Sequence, residues 1–195
     1  SPFPGRIMEL LSLYLVPDPL TDMEQVIDLS EQTGNETIKL SIPKGKHALY
    51  GLVKVHGFMQ VINGAPGATG PVLNHYNESA VRKYLTNMSS AAEKRIGPLS
   101  DNIRALFTDS MELEGANWSA DIMDEFRKRR GYDIRPFLPF VLFKTGGMGN
   151  VTDFKYGVTM SPEFEKMTQR MRYDFEITKA ELLEERFIKT YGEWC

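Results

Sequence analysis

After residue 70 only one short segment, Ile103-Arg104-Ala105-Leu106-Phe107-Thr108, reads as a central strand, and helix signals flank it on both sides. Asn77 caps a helix whose apolar positions Val81, Tyr84, Leu85 and Met88 follow helical spacing, and Gly97-Pro98 ends it. Ser119 caps a second helix over residues 120–130, with Asp121 in its first turn and Gly131 at the C′ position. Ser161-Pro162-Glu163 opens a long third helix, with the serine as cap and proline at the first helical position. Its apolar stripe includes Phe164, Met167, Met171, Leu182 and Phe187, and Tyr173-Asp174-Phe175 is its expected point of interruption. Helix, strand, helix, loop, helix is the order of β/α units. A closed barrel of such units needs eight strands in about 250 residues, so one strand predicts only a portion of one.

The first third has a different texture. Residues 25–29, 37–42 and 48–55 are short runs rich in β-branched and large apolar residues. Thr33-Gly34-Asn35 and Pro43-Lys44-Gly45 punctuate them as turns, which predicts an antiparallel meander. The Gly- and Pro-rich stretch from Asn63 to Gly70 reads as a connector. The expected organisation is therefore a β-rich segment over 1–63 and part of a β/α barrel over 64–195. The fold class is α/β: an incomplete (β/α)8, or TIM, barrel portion behind a small antiparallel segment.

Composition excludes several classes. The 195 residues are 42% hydrophobic and 25% charged, with a formal net charge of −3. Lys and Arg are outnumbered and dispersed, so no nucleic-acid footprint is expected. The basic cluster Arg127-Lys128-Arg129-Arg130 falls at a helix end, where it complements the dipole. The apolar run from Ile7 to Val16 is shorter than the roughly 18 residues a membrane helix needs. Cys195 is the only cysteine, which rules out an intrachain disulfide or a cysteine-based metal site within this sequence.

The chemistry concentrates after the one strand. Thr108 is followed by Asp109-Ser110-Met111-Glu112. In a β/α barrel the carboxyl ends of the strands face the active-site mouth, so Asp109 and Glu112 are placed where acids can act. Glycosidic cleavage needs two carboxyl groups around the bond, one giving a proton and one activating water or attacking. The same groups can hold sugar hydroxyls or a hard cation. Against this stands the plain reading that an acid after a strand caps a helix or tightens a turn. Asn117-Trp118 comes next, and a loop tryptophan can stack on a sugar ring or simply pack. Asn74-His75 precedes a helix and offers donors and acceptors suited to hydroxyls, although a lone histidine there is more often structural. His47 and His56 lack acidic or cysteine partners at metal spacing and are read as structural. Ser110 has no nucleophile-elbow context, and Lys144-Thr145-Gly146-Gly147 is not a phosphate loop.

Taken in order, Leu106-Phe107-Thr108-Asp109-Ser110-Met111-Glu112, Asn117-Trp118-Ser119 and Arg129-Arg130-Gly131-Tyr132-Asp133 followed by Pro136-Phe137-Leu138-Pro139 resemble glycoside hydrolase family 106, the α-L-rhamnosidases. Pro43-Lys44-Gly45 and the stretch from Gly70 to Asn77 agree with that pattern, and the likeness is strongest over residues 66–139. Met111 stands where the family has an aromatic residue, and Asn74 where an acid is common.

The resemblance implies a (β/α)8 catalytic barrel that hydrolyses terminal α-L-rhamnosides with inversion, as in polysaccharide degradation by periplasmic or secreted bacterial enzymes. It makes Glu112 a catalytic or substrate-binding carboxylate and Asp109 its partner. Asn74, His75, Asn117 and Trp118 would contact the sugar, and the pattern leaves room for calcium. A second essential carboxylate is expected on another strand, roughly 6.5–9.5 Å from the first for an inverting pair. The isolated chain is therefore expected to be inactive, and its unpaired sheet edges invite self-association. The competing readings are a noncatalytic carbohydrate-binding module and a structural α/β domain.

Overall fold

The computed structural model describes residues 7–57, 60–61, 66–67, 70–108, 111, 113, 116–143 and 157–195. The described residues form a mixed α/β structure with a three-stranded antiparallel sheet and a set of helices. They fall into two compact units, each built from two stretches of chain: 1–56 with 126–175, and 57–125 with 176–195.

The first unit holds the sheet. Its centre is β1 (Met8–Asp18), the apolar run that is too short to cross a membrane. β3 (Lys46–Val55) pairs antiparallel along nearly all of β1, from Met8 opposite Val55 to Asp18 opposite Lys46, with a bulge between Leu10 and Ser12. β2 (Ile27–Asp28) takes the other edge at only two positions. The order β2-β1-β3 differs from a meander, because β1 lies between the two strands that follow it. The strand expected over 25–29 is cut short at its start. Asp22 caps a 3-10 turn over Met23–Gln25, and the Gln25 side chain returns to the cap in a capping box. Residues 37–42 form no strand. Both edges of β1 are occupied, and a lone strand leaves its backbone groups without protein partners.

Helices close over the sheet. Tyr14, Val16, Leu20, Tyr50, Phe140 and Phe164 form one buried cluster, bringing β1 and β3 against α4 (Leu138–Leu142) and the start of α5 (Pro162–Leu183). The cap expected at Ser161 is present: its Oγ accepts from the Phe164 N–H at 3.2 Å. Arg172 on α5 donates to the carbonyl oxygens of Phe140 and Val141, satisfying groups that a helix end leaves open. Gly157 has φ +91°, and a Cβ there would run into the Tyr50 hydroxyl, so only glycine fits.

In the second unit α1 (Glu78–Ile96) begins at Asn77, whose Oδ1 accepts from the Ala80 N–H at 3.0 Å, and ends at Gly97 with φ +81°. Such a cap stabilises a helix by about 1 kcal/mol. α2 (Leu99–Asn102) is a single turn. The expected strand over 103–108 belongs to no sheet and has no regular secondary structure, with Phe107 87% exposed. No strand among the described residues lies beside it to complete its ladder.

α3 (Ile122–Arg130) and α5 each run from one unit into the other. α5 passes through Tyr173-Asp174-Phe175 without a break. The irregularity comes later, as a π-helical turn over Glu184–Ile188 before α6 (Lys189–Trp194).

Candidate active site

The described candidates Asn74 and His75 lie on a segment of the second unit that contributes to one small core. Val81 and Leu85 of α1 and Phe187 of the π turn are its buried members. Leu73 and Met111 pack against it, with Leu183, Tyr191 and Trp194. Leu73 immediately precedes Asn74-His75, and Met111 lies inside the Asp109–Glu112 segment. One apolar cluster therefore brings Leu73 and Met111 together. Asp109 and Glu112 themselves lie outside the described residues.

Asn74 makes an Asx turn, its Oδ1 accepting from the Tyr76 N–H at 3.0 Å. The turn uses only the carbonyl end of an exposed amide. His75 sits edge-on to Phe187, with ring centroids 4.6 Å apart. Its Nδ1 is buried and has no hydrogen-bond partner among the described residues. Burial pushes the imidazole below its ordinary value of 6.5, and the Leu73 backbone opposes that shift. The sign is that of a buried neutral histidine: protonation favours the unfolded chain, so His75 costs stability as pH falls through 6.5 toward its folded value. A proton NMR titration, assigned through His75→Gln, should give a midpoint below 6.5. A midpoint at or above that value would place the ring in water or beside an acid.

Asn117 and Trp118 are partly buried, and Ser119 is buried at the entry to α3. The Ser119 Oγ donates to Asp121 Oδ1 at 3.0 Å. Asp121 in turn receives both terminal nitrogens of Arg186, at 2.9 and 2.7 Å. The Arg186 hydrogen bonds hold the Asp121 carboxyl below the usual carboxylate range, with Ser119 adding to the effect. Arg186 Nη1 also donates to the Tyr76 carbonyl at 2.9 Å. The segments 74–76 and 119–121, far apart in sequence, are joined through this one guanidinium.

Arg186 carries no signal in the sequence that marks it for this role. Its hydrogen-bond partners Asp121 and Tyr76 are 65 and 110 residues away, and no local spacing in the chain announces them. For calcium the described residues supply no ready site, since no three His, Cys, Asp or Glu side chains among them converge. The acids on which such a site depended are Asp109 and Glu112.

A sequence model described as alpha-L-rhamnosidase matches residues 12–194. The chain belongs to that family, glycoside hydrolase family 106. Among solved structures it is similar to a rhamnosidase from Novosphingobium sp. PP1Y, at 26% identity and a TM-score of 0.57. That match covers 89% of this chain and 16% of the rhamnosidase, so the chain spans about a sixth of that protein's length. No curated protein matches significantly.

Proposed function

We propose that this chain supplies part of the catalytic domain of an enzyme that cleaves terminal α-L-rhamnosides with inversion. The observation that carries the reading is the gathering of residues 73–76, Met111 and residues 119–121 around the Phe187 and Arg186 pair, in a chain of the rhamnosidase family. In this reading Glu112 is the carboxylate that transfers a proton or aligns the attacking water, and Asp109 assists it or binds a hydroxyl. Asn74 and His75 hold sugar hydroxyls. The buried His75 Nδ1, without a hydrogen-bond partner among the described residues, supports this, because such an atom costs free energy until something satisfies it. Trp118, with Asn117 beside it, offers a ring face for the sugar.

The same reading takes residues 1–63 as a β-rich appendage and 64–195 as a portion of a (β/α)8 barrel. Phe107, 87% exposed two residues before Asp109 in sequence, is the kind of side chain a neighbouring barrel element would cover. The edge of β3 leaves Leu49 and Val53 exposed, which supports self-association of the isolated chain.

The test uses the protein as its gene encodes it. It should release L-rhamnose from an aryl α-L-rhamnoside, and NMR should show the β-anomer first. The isolated 195-residue chain should give no turnover; turnover by it would show that both carboxylates lie within these residues. Calorimetric heat with rhamnose oligosaccharides and no cleavage by the encoded protein would instead mark a noncatalytic binding module.

A further inference from the structure

We propose that Arg186 is a positioning residue that sets the spacing of the two sugar-contacting segments, 74–77 and 117–121, and that the π turn over Glu184–Ile188 exists to present it. The proposal rests on the rhamnosidase reading above for what the segments bind.

The geometry is specific. Arg186 holds Asp121 through two parallel hydrogen bonds and the Tyr76 carbonyl through a third. Its Nη2 also lies 3.8 Å from Glu125, and its side chain is only 19% exposed. Asp121 passes the constraint to Ser119, the residue after Trp118, through the Ser119 hydroxyl. Tyr76 passes it to His75, the residue before. His75 is one residue from the Tyr76 carbonyl that the guanidinium holds, and Trp118 is one residue from Ser119, which bonds the Asp121 carboxylate.

The π turn explains how one helix does this. Consecutive residues on a regular α-helix point about 100° apart, since there are 3.6 residues per turn. Here Arg186 reaches the Tyr76 carbonyl while Phe187 sets its ring against His75 at 4.6 Å. Both neighbours thus land on a single tripeptide. A π turn inserts a residue into the helix and is frequent at functional sites. Arginine is needed because its planar fork can serve a carboxylate with two nitrogens while still offering donors elsewhere. A lysine keeps the charge and cannot keep that geometry.

Arg186→Lys in the encoded protein is therefore the deciding variant, with Arg186→Met as the fuller deletion. Hydrogen exchange should quicken at the amides of 74–77 and 117–121 and stay unchanged in β1 and β3. KM for the aryl rhamnoside should rise about tenfold, the worth of about one well-aligned hydrogen bond to the sugar. Partial unfolding alone would lower the apparent kcat and leave KM where it was. Wild-type exchange rates in Arg186→Lys would overturn the holding role. Faster exchange with unchanged KM would overturn the functional one. If the wild-type protein hydrolyses no rhamnoside, the rhamnosidase reading falls, and the exchange data still decide whether Arg186 holds the two segments.

Discussion

Replacing Glu112 by glutamine in the encoded protein is expected to lower rhamnoside turnover by at least ~100-fold, the scale of losing a general acid or base. Glutamine keeps the length and shape of the side chain and removes only its ability to carry and release a proton, so the substitution separates chemistry from packing. The adjacent Met111 is packed against the Val81, Leu85 and Phe187 cluster, a contact that the substitution does not touch. The pH profile should change as well as the rate. If Glu112 is the essential acid or base, one limb of the bell-shaped dependence of kcat/KM on pH disappears with it. Assaying the initial rate across pH with an aryl α-L-rhamnoside reads both effects. Unchanged turnover in Glu112→Gln would remove Glu112 from the mechanism and leave Asp109 as the carboxylate to test.

Helix ends were the most legible part of this chain. Asn77, Ser161 and Gly131 do what their types predict, because a cap is settled within four residues of sequence. Strands were harder, since a strand is defined by its neighbours. The run from Met8 to Asp18 is the central strand of the sheet, yet on its own it reads only as a short apolar stretch. Residues 37–42 and 103–108 have strand composition and no partner, and they remain outside the sheet. The site divides the same way. Asn74, His75 and Trp118 stood out by type and order. Arg186 did not, because its meaning lies in contacts 65 and 110 residues away and in a π turn that no spacing rule marks.

The largest expected loss of stability comes from Phe126→Ala, at about 3–5 kcal/mol. Phe126 is fully buried in α3 and meets Tyr132 edge-to-face at 5.1 Å, with Phe175 of α5 at 6.4 Å. The contact with Tyr132 depends on the turn between them. Gly131 has φ +80°, which brings the chain back over the end of α3 at a position where a side chain is strained. The Tyr132 hydroxyl then donates to Asp174 at 2.9 Å, tying the turn to α5. Burial, and then the Asp174 carboxylate, push that phenol far above its ordinary value and keep it protonated as the donor. The Arg-Gly-Tyr piece of the family pattern is therefore a packing device whose ring must find Phe126. Removing the Phe126 ring leaves a void that a helix, a tight turn and a second helix cannot easily close together. Against a total stability of about 5–15 kcal/mol, such a loss shifts the urea midpoint substantially. Phe126→Leu, which keeps most of the volume, should cost clearly less. A loss under about 1 kcal/mol in Phe126→Ala would mean that the site collapses freely and that the Tyr132 turn holds by other contacts.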